Sequence, residues 1–183
     1  MPSVLIPLAQ GCEELEAVTL IDLLRRAGID VTTAGLDAKQ VRGSHGITLV
    51  PDTHLDAALK KEYDMVVLPG GLPGADHLGA DKRLTDLIKK MAQSGKYVGA
   101  ICAAPRVLAQ QGILDGKKAT AYPGFLESRS FPNVHATGSA VECDGKVLTS
   151  RGPGTAMDFA LKIIATLLGD KKRDDVETAL VRN

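Results

Sequence analysis

Cys102 has the setting best suited to chemistry. The apolar run Tyr97-Val98-Gly99-Ala100-Ile101 ends directly on it, and Ala103, Ala104, Pro105 and Arg106 then open a helix predicted to continue to about Gln111. A strand-to-helix turn flanked by small residues can be sharp and presents its side chain at the sheet edge, the topology of a nucleophile elbow. Pro105 suits the first turn of that helix, where its missing N–H costs nothing. The exposed amides and the helix dipole at such a turn favour thiolate over thiol and lower the thiol pKa. Local sequence leaves a second role open, because unpaired cysteine is also among the most buried core residues.

Glu16 tips the balance toward function. It lies four residues before Leu20, on the stripe continued by Leu23, Leu24 and Ala27, so the helical period turns it toward the core. A carboxyl on an apolar stripe is costly unless it is neutral or partnered. It also follows the first strand and so sits near the carboxyl edge of the sheet, where open α/β folds bind ligands. Cys102 ends its own strand at that edge, and the two are expected to meet. Burial and a neighbouring thiolate both raise a carboxyl pKa, so the pair would share one proton. The expected state is a thiolate hydrogen-bonded by a protonated acid. Glu13 and Glu14 read as favourable charges at a helix N-terminus.

A third element is Pro69-Gly70-Gly71-Leu72-Pro73-Gly74, which follows the apolar run Met65 to Leu68. Paired glycines at a strand end let the amides of Gly70 and Gly71 approach a ligand, as an oxyanion hole requires. A plain turn accounts for them equally. The spacing is Gly-Gly-x-x-Gly and not the dinucleotide pattern, so no such cofactor is expected. Thr155 and Asp158 have capping-box spacing, and Arg151 is left without an assigned role. The histidines, His45, His54, His77 and His135, are not at metal-ligand spacing from one another or from a cysteine, and no metal is expected. Cys12 and Cys143 read as structural or incidental.

The elements that must position these groups follow from hydrophobic patterning. Val4-Leu5-Ile6, Met65 to Leu68 and Tyr97 to Ile101 are continuous apolar runs, the mark of parallel strands buried on both faces. Ile29 to Ala34 is a fourth strand, and weaker ones are Ile47–Val50, Lys118–Ala121, Ser139–Cys143 and Lys146–Thr149. Helical stripes run from Leu20 to a stop at Gly28, from an N-cap at Asp81 through Leu84, Leu87, Ile88 and Met91, and from Met157 through Leu168 to Gly169. The charged cluster Lys171 to Asp175 reads as a solvated stretch before a short last helix. The alternation predicts one α/β domain over residues 1–183, a mostly parallel sheet with helices on both faces.

Composition excludes several classes. The 183 residues are 44% hydrophobic and 24% charged, which argues against disorder, and 22 basic residues balance 22 acidic ones. A sequence-specific nucleic-acid partner is therefore not expected. No apolar run approaches the roughly 18 residues of a membrane span, and no signal-peptide pattern opens the chain. Three cysteines cannot all pair internally, and free thiols suit a reducing cytoplasm.

Four stretches, Gly11-Cys12-Glu13-Glu14-Leu15-Glu16-Ala17, Val66-Val67-Leu68-Pro69-Gly70-Gly71, Ala100-Ile101-Cys102-Ala103-Ala104-Pro105 and Leu148-Thr149-Ser150-Arg151-Gly152-Pro153-Gly154-Thr155, resemble in order the ThiJ/PfpI superfamily, within it the branch of the human Parkinson-disease protein. The resemblance implies a flavodoxin-like three-layer sandwich and a homodimer. It assigns Cys102 as the reactive cysteine, Glu16 as the acid hydrogen-bonded to it, and Gly71 and Ala103 as amides lining the pocket. It further implies cofactor-free glyoxalase chemistry, methylglyoxal to lactate or glyoxal to glycolate, and deglycation of their early adducts. The alternative it carries is an oxidative-stress sensor or chaperone in which the cysteine becomes a sulfinate. Tyr122 stands where human-like members have a histidine, as a possible third polar group. Arg26 matches one arginine of the family's anion site, and His45 replaces the other. Ala103 in place of histidine argues against the peptidase branch, and Ala104 in place of glycine against the related amidotransferases.

Overall fold

The computed structural model describes residues 1–37 and 39–182. In chain order the elements are β1 (Ser3–Leu8), α1 (Glu14–Arg26), β2 (Asp30–Gly35), β3 (Val41–Arg42), β4 (Thr48–Leu49), β5 (Thr53–His54), α2 (Leu55–Ala58), β6 (Met65–Leu68), α3 (Gly74–Ala80), α4 (Lys82–Gln93), β7 (Tyr97–Ile101) and α5 (Pro105–Gln110). They continue with β8 (Lys118–Ala119), β9 (His135–Ala136), β10 (Val141–Asp144), β11 (Val147–Ser150), α6 (Ala156–Leu168) and α7 (Asp170–Ala179). A seven-stranded sheet runs in the order β10-β11-β7-β6-β1-β2-β5. All its pairings are parallel except the β10–β11 hairpin.

The unbroken apolar runs have a direct cause, since each strand feeds two cores. In β1, Val4, Ile6 and Leu8 point to one side with Met65, Val67 and Ile101, where Leu20 and Leu24 of α1 and Phe159 and Ile163 of α6 cover them. Leu5 points to the other side with Val66, Leu68, Val98 and Ala100, under Leu78 of α3, Leu84 and Ile88 of α4 and Leu108 of α5. Helices on both faces of a mostly parallel sheet make a flavodoxin-like α/β sandwich.

Several predicted boundaries hold. Asp81 caps α4, its carboxylate accepting from Arg83 N–H at 3.0 Å and Leu84 N–H at 3.3 Å. Others shift where short segments carry little periodic signal. Residues 47–50 give only Thr48–Leu49, paired with β3 outside the main sheet, and residues 118–121 give only Lys118–Ala119, paired with β9. Helices α2 and α3 are too short to show a stripe, and α3 starts directly on the glycine-rich turn. Met157 is exposed, because the face of α6 that meets the sheet runs through Phe159, Ala160, Ile163 and Ile164. The cluster Lys171 to Asp175 lies inside α7, where Lys171 and Asp175 pair one turn apart. The Thr155 hydroxyl is held by Ser150 Oγ at 2.7 Å and accepts from Gly152 N–H at 3.1 Å, so it braces the turn before α6 rather than capping Asp158. Among the described residues no helix is long and apolar enough to cross a membrane.

Candidate active site

Strands β7, β6 and β1 are neighbours and parallel, so the loops after them emerge side by side at one edge. Those loops carry Cys102, Gly70–Gly71 and, through the start of α1, Glu16. Backbone bonds lock them together: Glu13 N–H donates to Gly70 O at 2.9 Å, Gly74 N–H to Gly11 O at 3.2 Å, and Cys102 N–H to Ser150 O at 3.0 Å. Cys102 itself adopts φ +65°, a left-handed conformation that is strained for a side-chain-bearing residue and costs of order 1–3 kcal/mol. It is the sharp turn expected of a nucleophile elbow. Cys102 is 9% exposed and Glu16 fully buried, so the pair is largely withdrawn from solvent.

Glu16 Oε2 accepts from Gly70 N–H at 2.8 Å. Oε1 is buried with no hydrogen-bond partner, and the Glu16 carboxyl and the Cys102 thiol lie close enough for each to shift the titration of the other. The amides of Gly71 and Ala103 lie near enough to the sulfur to lower the pKa of the thiol. Burial pushes Glu16 up from 4.5 to about 7, opposed by the Gly70 amide and the Cys102 thiol. Burial, then the Glu16 carboxylate, push the Cys102 thiol up to about 12, opposed by the two amides. The expectation of a thiol acidified outright by the helix dipole is therefore corrected. Helix α5 is short, with 6 residues, and desolvation outweighs its field. What survives is the shared proton: the pair carries one proton between its two titrations, and both values belong to the pair.

Glycine is required at both positions of the turn. A Cβ on Gly70 would lie 2.6 Å from Cys102 Cβ and 2.8 Å from Glu16 Oε2, and one on Gly71, at φ +84°, would lie 2.3 Å from Glu13 N. Gly70→Ala is expected to lower the unfolding free energy by about 1–3 kcal/mol in urea denaturation. Wild-type stability in that variant would show that the turn has slack and does not set the distance between the pair.

Not every predicted residue joins the site as expected. Gly70 is there, but its amide is engaged by Glu16, leaving Gly71 and Ala103 to face the sulfur. Arg26 and His45 do not come together within the chain. Arg26 lies in the last turn of α1, about 15 Å along the axis from Glu16, and pairs with Asp22 at 2.7 Å. His45 lies at the other end of α1, with Nδ1 3.4 Å from both Glu13 and Glu14. Tyr122 adjoins the site by its backbone, whose N–H donates to Cys102 O at 2.8 Å. Its half-exposed ring packs against Gly152 and edge-on to Phe125, and among the described residues its hydroxyl has no hydrogen bond.

Glu14 is more than a helix-end charge. It is buried, and Oε1 accepts from His45 N–H at 2.8 Å and Ile47 N–H at 3.2 Å, while Oε2 accepts from Ser44 Oγ at 3.2 Å. Burial alone would raise its pKa, but these donors outweigh it and hold the carboxyl down at about 2. It ties the β3–β4 hairpin to the start of α1, and so to Glu16. The donor atoms of Glu13, Glu14 and His45 lie within 4.8 Å of one another, the one such grouping among the described residues. The Glu14 oxygens already accept these hydrogen bonds. His45 is 31 residues from Glu14, so local spacing carried no signal of the contact.

Known proteins share both the fold and much of the sequence. Arabidopsis thaliana DJ-1 homolog A is 44% identical over 181 residues, which is 98% of this chain and 46% of that protein. The chain thus spans less than half the length of the Arabidopsis relatives. The Caenorhabditis elegans protein named glutathione-independent glyoxalase DJR-1.2 is 34% identical over 173 residues, 94% of this chain and 91% of that one. The structure of oxidized Toxoplasma gondii DJ-1 superposes with a TM-score of 0.94 at 38% identity, covering 99% of this chain and 98% of that chain. The family description DJ-1/PfpI matches residues 2–166, a span that holds Glu16, the paired glycines and the Cys102 elbow alike. By fold and by sequence, the chain belongs to the DJ-1/PfpI family.

Proposed function

We infer that the chain is a cysteine-dependent glyoxalase that converts methylglyoxal to lactate, or glyoxal to glycolate, without a cofactor. The observation that carries this reading is the buried Cys102–Glu16 pair, in which one oxygen of the acid is held by Gly70 and the other is buried without a partner. With the proton on Oε1, the sulfur is a thiolate held by the Gly71 and Ala103 amides.

The thiolate adds to the aldehyde carbon, and the C=O pair moves onto oxygen, which those amides stabilise. Glu16 supplies its proton to that oxygen, giving a hemithioacetal. As carboxylate it then removes the C1 hydrogen, the C1 hydroxyl proton passes to the C2 oxygen of the enediolate, and Glu16 returns its proton at C2 to leave a thioester. Water cleaves the resulting thioester, so methylglyoxal plus water gives lactic acid with the cysteine restored. The low exposure of Cys102 favours free two- and three-carbon aldehydes over adducts on folded proteins, and early adducts of small amines or thiols are the next class it suits. The relative bearing the glyoxalase name supports the same assignment.

The orphan Oε1 favours a second reading, a redox sensor, since a protonated acid there would donate to an oxygen added to the sulfur. Counting lactate separates the two. Many equivalents per chain from methylglyoxal, in the absence of glutathione, are expected of the enzyme. One equivalent or fewer, with the cysteine readily oxidised by dilute peroxide, would replace it by the sensor.

A second copy of the chain is the proposed partner. Leu15 and Val18 on the outward face of α1 and Ile47 and Val50 of the adjacent hairpin are 46–73% exposed, and Val18 and Val50 line one groove beside α1. Apolar side chains grouped in this way suit a buried interface. Sedimentation is expected to give a dimer that Val50→Glu dissociates; an unchanged mass in that variant would move the interface elsewhere.

A further inference from the structure

At the opposite edge of the sheet from Cys102 lies a cleft of about 610 Å³ lined by Lys89, Lys96, Lys117 and Lys146, with no carboxylate in its wall. Its apolar lining comes from Val98 of β7 and Val147 of β11, which are register partners, together with Ile113. Val98 is four residues before Cys102, about 13 Å along the strand, so the cleft is separate from the cysteine site.

The charges of the cleft are only partly answered. Lys96 pairs with Asp64 at 3.0 Å and Lys117 reaches Asp144 only at 3.9 Å. Lys146 lies over the Tyr97 ring at 3.9 Å, a contact that satisfies no formal charge. Among the described residues Lys89 pairs with no acid. The protein as a whole is neutral, so four cations around one concavity are a local concentration and not the field of a basic protein. The amides of Gln93 and Gln111 add neutral donors and acceptors to the same wall. An apolar lining, a few hydrogen-bonding groups and clustered cations in a cleft of this volume match an organic anion with a flat apolar body.

We propose that this cleft is a second ligand site, taking a phosphorylated small molecule of nucleotide size. The phosphates meet Lys89 and Lys146, which lack carboxylate partners, with Lys96 and Lys117 turning from their acids toward the same anion. The base lies against the partly exposed Ile113 at the mouth of the buried Val98–Val147 pair, and the two glutamines meet its edge. A polymer is disfavoured, because the positive charge is confined to one cleft of a chain with no net charge.

Calorimetric titration with ADP, inorganic phosphate and adenosine tests this. ADP is expected to bind, with phosphate at least tenfold weaker and adenosine weaker still, and Lys89→Glu and Lys146→Glu are each expected to reduce ADP affinity about tenfold or more. The Cys102→Ala protein is expected to bind ADP as the parent does, so failure of the glyoxalase reading would leave this result intact. Absence of ADP binding, or ADP binding unaffected in both lysine variants, would overturn the proposal. Phosphate binding as tightly as ADP would remove the nucleotide-sized ligand from it, and adenosine binding as tightly would remove the phosphate.

Discussion

Replacing Cys102 by alanine is expected to lower lactate formation by at least about 10³-fold, to the level of the uncatalysed reaction, while the protein remains folded. The thiolate forms the covalent bond that makes the C1 hydrogen removable, and neither Glu16 nor the Gly71 and Ala103 amides can replace it. Structure is not the casualty. The backbone at residue 102 is held by Ser150 O and Tyr122 N–H, contacts alanine keeps, and alanine meets the same left-handed strain at φ +65° that cysteine does. The thermal midpoint should therefore stay within a few degrees of the parent. Residual turnover close to the parent in this variant would remove the cysteine from the reaction altogether.

Glu16→Gln is expected to divide the two roles of that residue. The amide can keep the Gly70 N–H bond and still face the sulfur, but it cannot carry a proton between carbons, so turnover should fall about 10²–10³-fold. Stability should move the other way above neutral pH. The first proton of the Cys102–Glu16 pair leaves at about 7 in the folded protein, against 4.5 for an ordinary carboxyl. Between those values the folded state holds a proton that the unfolded state has released. Wild-type stability therefore falls as pH rises through that window and is unaffected by this group below it. Glutamine has no such slope, so the variant should be the more stable protein above pH 7, by of order 1–3 kcal/mol. Parallel urea denaturation at pH 5 and pH 8 reads this. A variant less stable than the parent at pH 8 would mean that the negative charge of the pair is solvated in the native state.

The reach of the sequence follows the physics of each feature. Strands β1, β6 and β7 were legible because burial on two faces writes an unbroken apolar run, and Glu16 was legible because a carboxyl on the stripe of Leu20, Leu23 and Leu24 breaks a pattern. Cys102 and the paired glycines followed from strand ends and small neighbours. The residue matches to a known superfamily then assigned their roles, which patterning alone had left open. What the sequence hid is non-local. The Glu14 carboxylate finds its donors at Ser44, His45 and Ile47 only once the hairpin folds back. Arg26 and His45 lie at opposite ends of α1, a separation that motif matching does not register. The sign of the Cys102 shift depended on desolvation, which the helix-dipole argument omitted. Helices α2 and α3 were missed because one or two turns cannot display a period.

The glyoxalase reading requires that the proton of the pair rest on Glu16 and the negative charge on sulfur. Thiolate absorbance in the ultraviolet, followed against pH with the Cys102→Ala protein as blank, reads the sulfur alone. A Cys102-dependent thiolate signal is expected to rise with the first proton lost, near pH 7. A signal that stays absent through pH 10 and emerges only toward pH 12 would put the proton on sulfur and contradict it.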